Sequence, residues 1–241
     1  MKPANFLRTV GFKDLKKNKL TVISLFSGCG GMDLGCMQAG LEVRVMIDNE
    51  KTCCETLYEN FVKRSLYRKR APVPAILHRD ICQTPTSMIL DAAKLQVGEA
   101  GVVTAGFPCT GFSLAGKRRI DDPRNKLYLE CVRVIREALP RFFILENVPG
   151  LISMDKGRII DRICRDLACC GYDVHWQKLN AADYGVPQNR IRVFFIGQRV
   201  DMLYWNGKDN PQLHMGCGGR YKHPEFFEKK YKIESYWPEA A

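Results

Sequence analysis

The chain has 241 residues, of which 46% are hydrophobic and 26% charged. That is long and apolar enough for one sizeable core, and it excludes a disordered polymer. The formal net charge is +11, with basic clusters at 13–19, 63–70, 117–126 and 229–232, and such an excess favours a polyanionic partner.

Read in chain order, Thr21–Leu25 (TVISL) is a β-branched run that ends in a glycine turn. A helix follows over 31–40, a strand over 42–47 (EVRVMI) and a helix over 50–63. Ala75–His78 is a weaker strand. Residues 101–105 form a fourth strand, 126–139 a helix with apolar positions at helical spacing, and 141–145 (RFFIL) a fifth strand. A helix over 157–170 and strands over 172–179 and 192–197 complete the pattern. Seven strands alternating with helices predict an α/β fold, a doubly wound and mostly parallel sheet with helices on both faces. Ligands of such sheets sit beyond the carboxyl ends of the strands, and the motifs below fall there. Residues 1–20 read as an N-terminal extension, 21–200 as the catalytic domain, and 201–241 as an irregular tail joining a further region.

No apolar run resembles a signal peptide or could span a bilayer, so the cytoplasm is the expected location, or the nucleus in a eukaryote. The 11 cysteines therefore read as reduced thiols. Cys53–Cys54 and Cys169–Cys170, adjacent pairs in helical segments, read as small buried hydrophobes. His214, Cys217 and His223 are irregularly spaced and lack a fourth ligand, so no metal is expected.

After the first strand comes FSGCGGMDLG. Its Gly28, Gly30 and Gly31 permit a tight turn and close approach of a ligand to backbone, and the following helix start suits negative groups. A nicotinamide fingerprint would need glycine where Asp33 stands, so an adenosine cofactor without a pyrophosphate fits better. Asp48 either binds ribose hydroxyls or caps the next helix. Asp80, in HRDI, could hold an adenine amino group or lie in solvent. In GFPCTGFSLAGKRR, Cys109 follows Pro108 at the end of the fourth strand. A thiolate nucleophile there needs partial exposure and a positive field, which Lys117, Arg118, Arg119, Arg190 and Arg192 could supply. ILENVPG presents Glu146 near Cys109 if the fourth and fifth strands are neighbours. In PQNRIRVFF, Arg190 and Arg192 alternate and so share one strand face, aimed at a base, a phosphate or Glu146.

These pieces, together with DNE, DDPRNKLY, LNAADYGVPQNRIR and FFIG, occur in one order over roughly residues 20–200. In that order they resemble the C5-cytosine DNA methyltransferases, which have a Rossmann-like, S-adenosylmethionine-dependent fold. The resemblance implies that S-adenosylmethionine is held by Phe26, Gly28, Gly30, Gly31, Asp48, Asn49, Asp80, Ile81, Pro108 and Leu127. It implies that the Cys109 thiolate attacks C6 of a flipped-out cytosine, that Glu146 hydrogen-bonds the base at N3 and the amino group, and that Arg190 and Arg192 complete the catalytic set. The loop 110–126 would be a mobile cover, with Ser113, Lys117, Arg118, Arg119 and Arg124 on DNA phosphates.

Two departures stand out. Thr110 occupies the position where the family usually has glutamine, and the sequence reaches ESYWPEAA about where target recognition would begin. The expectation is the catalytic subunit of a split DNA methyltransferase of a restriction–modification system. A second polypeptide would supply recognition and a returning helix, the latter packed in an exposed apolar groove beside the glycine loop. The alternatives are a tRNA cytosine-C5 methyltransferase and a non-catalytic regulatory subunit.

Overall fold

The computed structural model describes residues 20–64, 72–108 and 127–200. In chain order the elements are β1 (Thr21–Leu25), α1 (Gly31–Gln38), β2 (Glu42–Asp48), α2 (Lys51–Leu57), β3 (Ala75–His78), α3 (Thr86–Ala93), β4 (Val102–Ala105), α4 (Leu127–Ala138), β5 (Phe142–Asn147), α5 (Gly150–Ser153), α6 (Arg158–Ala168), β6 (Tyr172–Asn180) and β7 (Ile191–Arg199). A π-helical turn, Tyr58–Lys63, extends α2, and short 3-10 turns occupy Ile81–Gln83, Met154–Gly157 and Ala181–Tyr184.

The seven strands make one sheet in the order β3-β2-β1-β4-β5-β7-β6. The strands β1 to β5 pair in parallel, and β7 enters antiparallel between β5 and β6. The predicted doubly wound α/β sheet is therefore present. Its order reverses between β1 and β4, so the crevice opens beyond the carboxyl ends of those two strands.

Burial on both faces explains the unbroken apolar runs. All four residues of β4 are buried, as expected for a central parallel strand. On one face Ile23, Leu25, Val103, Phe143, Leu145 and Phe195 pack under α3, α4 and α6. On the other, Val22, Val43, Met46 and Val102 meet Cys36 of α1, Leu57 of α2 and Phe61 of the π turn. Helix α4 presents Cys131, Val134, Ile135 and Ala138 to the core, an i, i+3, i+4, i+7 stripe. The Phe143 ring meets that of Tyr172 in a tilted pair, centroids 5.3 Å apart, and the Tyr172 hydroxyl donates to Pro140 O at 2.7 Å. A side chain at Gly197 would overlap the Phe143 ring.

Several expectations change. β5 runs two residues beyond 145, so Glu146 belongs to the strand itself and takes its direction from the ladder. The helix expected over 50–63 switches to π hydrogen bonding after Leu57. Helix α3 has no counterpart in the sequence reading. The cysteine pairs are not both buried. Cys54 is buried and Cys53 half-buried, while Cys170 is half-buried and Cys169 exposed. Cys53 and Cys54 are adjacent helical residues that point about 100° apart, so Cys53 turns from the sheet, while Cys169 and Cys170 follow the last residue of α6. Every cysteine among the described residues is a free thiol, and no cluster of metal-ligating side chains occurs among those residues. No described helix is long and apolar enough to cross a membrane. Residues 1–19 of the expected extension and the whole 201–241 tail, with its His214, Cys217 and His223, lie outside the described residues.

Candidate functional site

The loop after β1 is shaped by three left-handed residues, Phe26 (φ 51°), Gly28 (φ 54°) and Gly30 (φ 84°). Ser27 ties it to β2, accepting from the Ile47 amide at 3.1 Å and donating its own amide to Ile47 O at 3.0 Å. Gly30 has no room for a side chain, because a Cβ would lie 2.5 Å from the Phe61 ring and 2.8 Å from Leu57. Gly28 and Gly31 face open space instead: among the described residues nothing lies within 4 Å of a Cβ at either position. The loop is thus pressed onto α2 at one glycine and left open at two others.

Asp48 closes this loop. Its Oδ2 accepts the Gly28 amide at 2.7 Å and its Oδ1 accepts the Glu50 amide at 2.9 Å. It is not the cap of α2, whose capping position is Glu50. The Asn49 carbonyl lies 3.1 Å from His78 Nε2 at the end of β3. Asp80 caps the next turn, its Oδ1 taking the Cys82 amide at 2.9 Å, while the Ile81 side chain is buried in the core. Phe26, Gly28, Gly30, Gly31, Asp48, Asn49, Asp80 and Ile81 therefore gather at the carboxyl ends of β1, β2 and β3.

A second group forms beyond β4 and β5. Arg192 Nε lies 2.8 Å from Glu146 Oε1. A Cβ placed on Gly106 would sit 3.5 Å from Glu146 Oε2, so the carboxyl group stands over the segment that leads to Pro108. Asn147 bolts the two strand ends together. Its buried amide donates to Phe107 O at 3.1 Å, and its Oδ1 accepts the Val148 amide at 2.8 Å. Burial raises the Glu146 pKa, and Arg192, then Arg190, oppose the rise.

The two arginines are not equivalent. Arg192 lies within β7, but Arg190 precedes that strand and is exposed. Arg190 is positioned through its backbone, its amide donating to Asn180 Oδ1 at 3.0 Å. Strand alternation therefore does not extend to Arg190. Pro108 is exposed at the end of the β4 segment, and Leu127 opens α4, partly buried against the core. Cys109, Thr110, Ser113, Lys117, Arg118, Arg119 and Arg124 lie outside the described residues.

Three residues near these groups escaped the sequence reading as functional candidates. Asn147 stood within ENV, but its partner is 40 positions away. Arg133 on α4 reaches the Asp80 turn. Asp33, in the first turn of α1, is fully buried, and among the described residues neither carboxyl oxygen has a hydrogen-bond partner in good geometry. Burial pushes its pKa up to about 6 against the opposing effect of the nearby Ser24.

The sequence matches the C-5 cytosine-specific DNA methylase family over residues 20–234. It is 39% identical over 220 residues to the Type II methyltransferase M.AquIA of Picosynechococcus sp., covering 88% of this chain and 83% of that protein. It is 37% identical over 210 residues to M.BsuRI of Bacillus subtilis, covering 79% of this chain but 46% of that one. Among solved structures, a candidate DNA modification methyltransferase encoded within an E. coli prophage superposes with a TM-score of 0.63 at 31% identity, over 77% of this chain and 48% of its own. The chain thus spans about half the length of these last two relatives. Matched over most of its length by that family model, and 39% identical to a relative of which it covers 83%, the chain belongs to the C-5 cytosine-specific DNA methylase family.

Proposed function

We propose that the chain transfers a methyl group to C5 of cytosine in double-stranded DNA, and that Cys109, Glu146, Arg190 and Arg192 carry the chemistry. The observation that supports this most directly is the Arg192–Glu146 pair at 2.8 Å, set beside the Gly106–Pro108 segment that delivers Cys109. C5 of cytosine is a poor nucleophile. The Cys109 thiolate adds to C6 and makes C5 electron-rich. Glu146, held by Arg192, hydrogen-bonds N3 and the exocyclic amine and so offsets the charge that develops in the ring. After transfer the C5 proton departs and the C6–S bond breaks, which regenerates the thiolate. Inside a stacked duplex C6 is out of reach, so the base is flipped out, and Ser113, Lys117, Arg118, Arg119 and Arg124 contact phosphates.

The glycine loop fits an adenosine-type cofactor. Open space over Gly28 and Gly31 leaves their backbone approachable, Asp48 places a carboxyl group on the loop, and Asp80 follows β3 at the same end of the sheet. S-adenosylmethionine bound there supplies an electrophilic methyl group. Phe26, Gly28, Gly30, Gly31, Asp48, Asn49, Asp80, Ile81, Pro108 and Leu127 would hold it.

A second polypeptide carrying target recognition belongs to the same proposal. The chain covers 83% of M.AquIA but 46% of M.BsuRI, so relatives of both lengths exist. Leu34, Met37 and Ile144, on the α1 side of the sheet, are only partly buried and would gain from a covering element. Restriction–modification in a cytoplasmic compartment is the role that follows.

The test is transfer of labelled methyl from S-adenosylmethionine to mixed-sequence DNA, with Cys109→Ser alongside and DNA containing 5-fluorocytosine as a covalent trap. Transfer and trapping that vanish in the Cys109→Ser protein support the proposal. Transfer to RNA but not to DNA would replace the substrate, and trapping that survives the substitution would remove Cys109 from its role. Full activity of the chain alone would remove the second polypeptide.

A further inference from the structure

Arg133 lies on α4, at a position that none of the family motifs marks. A guanidinium has five N–H donors in a fixed planar fork, and here each has an acceptor. Nε donates to Glu130 at 2.8 Å. Nη1 donates to Thr86 Oγ1 at 2.9 Å and to Glu137 at 3.4 Å. Nη2 donates to Ile81 O at 3.0 Å and to Thr84 O at 3.1 Å. Thr86 also donates to Glu137, so the two acids, the threonine and the guanidinium form one closed network.

The two carbonyls matter most. Ile81 O and Thr84 O bracket the 3-10 turn whose cap is Asp80. Within the turn Gln83 N donates to Asp80 O at 3.1 Å and Thr84 N to Ile81 O at 3.2 Å, Thr84 Oγ1 donates to Asp80 O at 2.7 Å and Cys82 N to Asp80 Oδ1 at 2.9 Å, but none of these bonds ties the turn to the rest of the fold. Arg133 fixes the peptide planes at both ends of this turn from an adjacent helix. An arginine serving only the surface of α4 would need Glu130 and Glu137 and nothing else.

We infer that Arg133 is a positioning residue for cofactor binding: it locks the Asp80–Thr84 turn in the geometry that presents Asp80 and the Ile81 backbone to S-adenosylmethionine. This rests on the reading of that turn as part of the cofactor site. It also gives α4 a task beyond packing, because α4 begins at Leu127, directly after the segment that carries Cys109, and the same helix clamps the cofactor side of the crevice.

The test uses the full chain as wild type, R133K, R133M and I163V, a variant of the buried Ile163 on α6 that makes no hydrogen bond to the Asp80 turn. The readouts are equilibrium binding of S-adenosylhomocysteine, the split between KM for S-adenosylmethionine and kcat in methyl transfer, amide hydrogen exchange at residues 82–84, and the melting temperature. Lysine offers three donors to five acceptors, so R133K is expected to restore only part of the function. The expected result is cofactor affinity about tenfold weaker in R133M, intermediate in R133K and unchanged in I163V. KM for the cofactor should rise with kcat nearly constant, and exchange at 82–84 should accelerate. Unchanged affinity in R133M would overturn the inference. So would an affinity loss that follows melting temperature across all three variants, I163V included. Wild-type protein that binds no cofactor analogue would remove the cofactor reading and this role with it, and the exchange data would then show whether Arg133 holds the turn at all.

Discussion

Arg192 on β7 and Glu146 on β5 meet through Nε and Oε1 at 2.8 Å, one strand apart in the sheet although 46 positions apart in sequence. Burial raises the Glu146 pKa and Arg192 is the stronger of the two opposing cations. Replacing Arg192 by methionine therefore moves the Glu146 titration further upward. Carbon-detected NMR titration of the Glu146 carboxyl would show it, and an unmoved midpoint would refute the coupling. Methyl transfer should fall about a hundredfold, the scale expected when a preorganised electrostatic partner is lost.

The Asn147 amide bridges Phe107 O and the Val148 amide from a buried position. Asn147→Ala leaves a buried carbonyl without its donor, which costs about 2 kcal/mol. Urea denaturation should report that loss. Methyl transfer should fall as well, because Phe107 lies two residues before Cys109. A variant as stable as wild type would show that water replaces the amide at no cost.

Gly28 and Gly30 both have positive φ, but their surroundings differ. Alanine at Gly28 meets open space and carries only the left-handed penalty of about 1 kcal/mol. Alanine at Gly30 must also displace Phe61 and Leu57, so it should cost about 3 kcal/mol in all. Thermal unfolding of the two variants should rank them in that order. The reverse order would mean that the loop does not rest on α2 through Gly30.

Asp33 makes stability fall with pH. Its pKa is raised from 3.8 to about 6, so the folded state holds the proton more tightly than the unfolded state between those values. Its stabilising effect is complete below pH 3.8 and is lost as pH rises through 6. The loss is on the order of 3 kcal/mol, and stability is flat above that window as far as Asp33 is concerned. Asp33→Asn should flatten this part of the profile and be the more stable protein at pH 8. Equal slopes in wild type and variant, measured by denaturation from pH 4 to 8, would show that Asp33 does not titrate there.

The sheet was readable in the sequence because its strands are compact apolar runs with glycine or charged residues after them. Ala75–His78 was placed to the residue, and α4 within one residue at each end, since its stripe repeats at helical spacing. Helix α3 was not readable: TSMILDAA places its apolar residues side by side, and Pro85 before it reads as a breaker. Arg133 was missed for a different reason. Glu130 and Glu137 at i−3 and i+4 give it the look of a solvated face, and the carbonyls that it holds are about 50 positions away. Asp33 in a glycine-rich loop looks like a surface acid, and only the packing of α1 on the sheet buries it.

Because β7 runs antiparallel, Val193 pairs with Asn147 and Gly197 with Phe143, so the ladder sets the height of Arg192 over the crevice. The connection 181–190 before β7 can therefore gain or lose residues without displacing the guanidinium. One residue inserted between Arg192 and Gly197 would turn Arg192 to the opposite face of the sheet. It would do so with Cys109, Glu146, Arg190 and Arg192 all still encoded.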